Sequence, residues 1–110
     1  EITPSRETAQ LFDRLVTEVL ESARAALRAG VDRDEQAAQS VVARRGAVRA
    51  LSADLQRLQA ARLAQDDPNR LAKHRVQIEI VDKLRRIYGA AEHMALSVLP
   101  RSALVGELYV

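Results

Sequence analysis

Apolar positions along this chain recur at steps of three and four, and two sets of helix-breaking residues divide the pattern into three runs. In the first run Phe12, Val16, Val19, Ala23 and Ala26 mark one face of a helix ending near Ala29. Leu11, Leu15, Leu20 and Leu27 widen that face, as suits a helix touching two neighbours. Thr3 followed by Pro4 is a cap and first-turn pair, and Gly30 stands where a left-handed C-cap belongs. Asp32 and Glu35 then have capping-box spacing, with Asp for the usual Ser or Thr.

The second run carries Val41, Val48, Leu51, Leu55 and Leu58, with Ala37, Ala38, Ala47 and Ala50 allowing close approach. Arg44, Arg45 and Gly46 interrupt it, and a mid-helix glycine costs about 1 kcal/mol relative to alanine. The helix therefore bends there, or another backbone comes close. Asp67 and Pro68 open the third run, and Pro100 stops it. Leu71, Ile78, Val81, Leu84, Tyr88, Ala91, Ala95 and Val98 form its stripe. The spacing predicts helices over about 4–29, 32–64 and 68–99. Tight connections between such helices give an all-α, up-down-up antiparallel three-helix bundle over 1–99, with a tail at 100–110 that packs or links onward. Rods of roughly 40 to 50 Å leave a thin core, so a protein partner or a homo-oligomer is expected.

Composition agrees with this architecture. With 110 residues there is room for one core, and the 47% apolar content is too high for disorder. The 17 basic and 15 acidic residues leave a charge of only +2, interspersed along every segment, and only three residues are aromatic. Nucleic acid is therefore not the expected partner. The chain contains no cysteine, which removes disulfides and thiolate chemistry. Nothing in it is apolar for long enough to span a membrane, and no signal peptide is visible. It starts at Glu1 rather than methionine, which points to a fragment or a processed protein.

Candidate chemistry is sparse. His74, Glu79, Asp82, Glu92 and His93 are the potential metal ligands of the third helix, but Glu79 with Lys83 and Asp82 with Arg86 have i,i+4 ion-pair spacing. A solvated, ion-paired face is the simpler expectation, with His74 at the edge of the stripe and His93 exposed. Ser5, Ser22, Ser40, Ser52, Ser97 and Ser102 lack any local catalytic signature, so no enzyme activity is expected. Arg44, Arg45 and Arg49 in the second helix and Arg85 and Arg86 in the third fall at similar heights in an antiparallel pair. Guanidinium groups suit oxyanions or a partner's carboxylates, although their stems also cover apolar surface with the heads in water.

The stretch LRRIYGAAEHMA, residues 84–95, resembles the final-helix motif of PhoU-type domains, three-helix bundles associated with phosphate transport and its regulation. That motif runs approximately Leu-Glu-Arg-Ile-Gly-Asp-His-Ala-Glu-Asn-Ile-Ala. Leu84, Arg86, Ile87, Ala91, Glu92 and Ala95 match it, and Met94 stands for isoleucine. The resemblance extends loosely over most of the chain, through Ala25-Ala26-Leu27 before a short turn and the apolar spacing from Val41 to Leu51. Family members bind metal clusters through acids of this motif and of the second helix. Here Arg85 and Gly89 occupy the motif's acidic positions, and Arg45 and Arg49 those of the second helix. Arginine cannot ligate a cation. The resemblance thus implies a degenerate site with no metal and no cofactor. It implies instead a basic surface of Arg45, Arg49, Arg85 and Arg86 that contacts an anion such as phosphate, or a partner. It further implies a non-catalytic regulatory or assembly domain attached to a membrane transporter of the sodium/phosphate cotransporter type. Such a soluble domain would lie on the cytoplasmic face of the inner membrane. The alternative is a cytoplasmic helical adaptor or dimerisation module unrelated to transport.

Overall fold

The computed structural model describes residues 6–63 and 68–100. Four helices form an all-α bundle: α1 (Arg6–Asp32), α2 (Glu35–Ala43), α3 (Arg45–Leu63) and α4 (Pro68–Val98). α2 and α3 are two halves of one rod separated by Arg44 alone, so three rods stand behind the four elements. α1 and α4 each pack against the other and against both halves of the broken rod. The molecule measures 51 × 27 × 18 Å, the long dimension being that of the helices. The Thr3–Pro4 start, the Asp67 cap and the tail from residue 101 lie outside the described residues, as does the side chain of Leu71.

The chain leaves α1 later than Gly30. Val31 and Asp32 are still helical, no described glycine has positive φ, and Arg33 takes the left-handed conformation at φ 55°. Gly30 stays within α1, and a Cβ there would stand 3.4 Å from Met94 Sδ of α4, an ordinary contact distance. The cap of the next helix moves correspondingly. Asp34, not Asp32, is the N-cap of α2, its Oδ1 accepting from Ala37 N–H at 3.1 Å. Glu35 then falls in the first turn, where its charge meets the positive end of the helix dipole. Left-handed backbone costs an L-residue roughly 1–2 kcal/mol, partly offset in glycine by its larger unfolded-state entropy. Arg33→Gly is therefore expected to stabilise the fold by about 0.5–1 kcal/mol in urea denaturation.

The interruption at residues 44–46 is a bend, not a close approach. Arg44 ends α2 with φ −84° and ψ −5°, and its N–H reaches the carbonyls of Val41 and Val42. Its own carbonyl accepts the first bond of α3 from Val48 N–H at 3.0 Å. A Cβ added at Gly46 would meet nothing within 4 Å, so no neighbour demands that glycine. The cause lies on α4, where the Tyr88 hydroxyl donates to Val41 O at 2.6 Å. A side chain inserted into the i→i−4 ladder is a recognised cause of a kink.

The core is thin and built of small residues. Among the described residues seventeen apolar side chains are buried, and seven are alanines: Ala25, Ala26, Ala29, Ala37, Ala38, Ala91 and Ala95. Alanine brings helix axes together but contributes little area, so Leu15, Leu55, Val19 and Val41 carry much of the apolar burial. Ala37 and Ala38 are at the close contact anticipated for them, whereas Ala47 and Ala50 are exposed. Leu20, Leu27 and Ile78, which the spacing places on packed faces, are 52%, 58% and 46% exposed. Three rods provide fewer covering surfaces than the width of those stripes requires.

Candidate functional site

Two consecutive arginines clamp the broken rod to both neighbours. Arg44 Nη1 lies 3.2 Å from Glu18 Oε1 of α1, and Arg45 Nε donates to Glu92 Oε2 of α4 at 2.5 Å. Consecutive helical positions point about 100° apart, so the two side chains reach different neighbours. All four partners are partly buried, which strengthens the attraction and also charges a desolvation cost against it. Tyr88 completes the junction, standing 3.4 Å from Glu92 Oε2 while bonded to Val41 O. Burial, above all, pushes its phenol well above the usual tyrosine range; the Glu92 charge and hydrogen bond add to this, while Arg45 and Arg49 oppose it. Tyr88 therefore remains a neutral donor.

The four arginines of the anticipated basic surface do not gather at one point. Arg45 is engaged by Glu92, and Arg49 stands one turn further along α3, near enough to Tyr88 for its charge to act there. Arg85 lies further along the α3–α4 seam, in a groove with Gln56 and Gln59. Arg86 points elsewhere, toward Asp82 of its own helix at 3.2 Å, with both groups exposed. That pair has the anticipated i,i+4 geometry, whereas Glu79 and Lys83 form no ion pair. Among the described residues no three acids or histidines come together in a geometry that would hold a metal ion. His74 is half-buried at the stripe's edge and His93 is exposed.

Two features escape a reading of the sequence. The first is a set of uncovered apolar side chains on α1 and α4, two helices that pack against each other. Leu20, Leu27 and Val31 expose 52%, 58% and 79% of their surface on α1. Ile80, Ile87 and Met94 expose 43%, 48% and 40% on α4. Where they pack, Gly30 of α1 approaches Met94 of α4. Leu20 to Leu27, and Ile80 to Ile87 to Met94, are separated by seven residues each, the repeat of a helix-packing seam. That repeat is the signal by which the sequence could have shown the rows.

The second feature is Gln59, on α3. It is 2% exposed, and neither its amide nitrogen nor its amide oxygen has a hydrogen-bond partner. The other buried polar side chains behave differently: Ser22 donates to Glu18 O and Ser52 to Val48 O, each at 2.7 Å, and Thr8 is also partnered. No signal in the sequence distinguishes Gln59 from Gln56, its exposed neighbour one turn away.

Compared with known proteins, the chain matches no family model, no curated protein and no solved structure. Among the described residues no helix is long and apolar enough to cross a membrane.

Proposed function

We propose that this chain is a non-catalytic, PhoU-like assembly or regulatory domain, its three rods running up, down and up, that works by binding protein surface through the α1–α4 face. The exposed double row of Leu20, Leu27 and Val31 beside Ile80, Ile87 and Met94 carries the proposal. An apolar patch of this extent on a small domain is characteristic of an interaction site. The occupant that matches it is a second copy of the chain. A two-fold pairing brings each face against its own equivalent, and rows with a seven-residue repeat interdigitate with rows of the same repeat.

The resemblance at residues 84–95 supports a setting beside a transporter of the sodium/phosphate type, on its cytoplasmic side, with the metal-binding acids replaced. In that setting Arg49 and Arg85 are the residues offered to phosphate or to an acidic partner surface, since Arg45 and Arg86 each hold a carboxylate. The adaptor alternative uses the same apolar face without the transporter. Phosphate titration separates them: chemical-shift changes at Arg49 and Arg85 favour the transporter setting, and an unresponsive spectrum favours the adaptor. Stoichiometric binding of a divalent cation by the acids of α4 would overturn the metal-free reading.

Sedimentation tests the assembly role. The chain is expected to dimerise as its concentration rises, and the double variant Leu27→Glu/Ile87→Glu is expected to stay monomeric with unchanged helix content. A wild-type monomer throughout the micromolar range would reject self-association through this face.

A further inference from the structure

We propose that the thioether of Met94 is a reversible oxidation site that controls pairing through the α1–α4 face, with hydrogen peroxide or another hydroperoxide as oxidant. The inference rests on the pairing proposed above and adds how that pairing is broken and restored.

Met94 carries the only sulfur atom in the sequence, which has one methionine and no cysteine. A hydroperoxide therefore finds one thioether here and no thiol competing with it. The residue is 40% exposed, which leaves it in contact with dissolved oxidant. It also closes the row that Ile80 and Ile87 form at seven-residue spacing on α4. Its Sδ reaches across to α1, where a Cβ on Gly30 would stand 3.4 Å away. The one oxidisable sulfur thus belongs to the surface on which pairing depends.

The chemistry is a two-electron oxygen transfer. A sulfur lone pair attacks one peroxide oxygen, the S–O bond forms and the O–O bond breaks. The other oxygen leaves as water once it takes up the remaining proton, so sulfur is oxidised and peroxide reduced. Restoration uses two thiols of a methionine sulfoxide reductase system. They become a disulfide, and the sulfoxide oxygen departs as water.

What changes is the character of the surface. A thioether is apolar and adaptable, suited to filling gaps between packed side chains. A sulfoxide is polar, chiral and a strong hydrogen-bond acceptor. On the separate chain water supplies its donors, so the bundle itself is undisturbed. Within the pair its apolar neighbours Leu20, Leu27, Val31 and Ile87 have no side-chain donor to give. The nearby Ser97 hydroxyl is already donated to the Met94 carbonyl at 2.6 Å. An acceptor buried without a donor is costly, and two-fold symmetry places two sulfoxides in every pair. Pairing in turn covers the sulfur, so oxidation acts on the separate chain and holds it separate.

The test treats the whole chain with hydrogen peroxide, confirms one added oxygen at Met94 by mass spectrometry, and measures association by sedimentation. The sulfoxide form is expected to dissociate about a hundred-fold more readily, roughly ten-fold for each sulfoxide, with unchanged circular dichroism. Treatment with methionine sulfoxide reductases for both epimers is expected to restore the pair. Met94→Leu should pair and ignore peroxide, while Met94→Gln should pair weakly without it. Oxidation of the wild type should also slow at concentrations where the chain is paired. A sulfoxide form that pairs like the untreated chain would overturn the inference while leaving the pairing intact. So would a Met94→Leu pair that peroxide dissociates equally well. An untreated wild type that is monomeric throughout would remove the pairing itself and this inference with it.

Discussion

Leu55→Ala is expected to lower the unfolding free energy by about 3 kcal/mol, within the 2–5 kcal/mol range of leucine truncations in well-packed cores. Leu55 is fully buried, as is Leu15. Helix backbones close the gap left by a truncation only by moving as rods. The lost contacts therefore add to the lost transfer energy. Total stability of a domain this size is about 5–15 kcal/mol, so the variant should unfold at markedly lower urea concentration with a similar slope. Leu27→Ala, at a position 58% exposed, is the control and should change stability by no more than about 0.5 kcal/mol when monomeric. Equal losses at the two positions would mean that Leu27 is covered in solution.

Tyr88→Ala is expected to cost about 3–5 kcal/mol, because it empties a buried aromatic site and removes the bond that occupies Val41 O at the α2–α3 bend. Tyr88→Phe isolates the hydroxyl. The Val41 carbonyl keeps its bond from Arg44 N–H at 3.1 Å, so the loss should be about 1–2 kcal/mol. A pH dependence accompanies it. Burial and Glu92 raise the ionisation of Tyr88 in the folded protein above the value of about 10 that it has when unfolded. Below pH 10 both states carry the proton, and the hydroxyl's contribution is fully present. Above it the unfolded chain releases the proton while the folded one retains it, so stability falls as pH rises toward the folded value. The wild type should thus lose stability between about pH 9.5 and 11 relative to Tyr88→Phe, with Tyr109 common to both. Parallel pH profiles for the two proteins would mean that Tyr88 is not buried as a donor.

These effects meet at the bend. Arg44, Arg45 and Tyr88 tie three rods together within two helical turns, and Glu18 and Glu92 are the matching acids. The arginines anticipated as a surface for anions thus divide between holding the bundle and facing the seam. Arg45 and Arg49 share a face because they are four residues apart, and Asp82 and Arg86 pair for the same reason. Those placements are local and could be read from spacing. The pairing of Arg45 with Glu92 is 47 residues distant in sequence, and no local rule reaches it.

By itself the sequence determined that the chain is helical, where those rod ends that fall among the described residues lie to within a few residues, and that the rods bundle. Those properties follow from side-chain periodicity, from Pro68 and Pro100, and from the scarcity of other breakers, all of which act within a turn or two. Tertiary structure alone decided which parts of each stripe are covered. Periodicity specifies a face but not the presence of a neighbour to bury it, so Leu55 became core while Leu27 and Ile87 remained bare. It also moved the turn from Gly30 to Arg33, with Gly30, Val31 and Asp32 all within α1. Gln59 was buried by the same means: a polar side chain at a helical position is solvated unless the packed rods exclude the water, and Gln59 is 2% exposed.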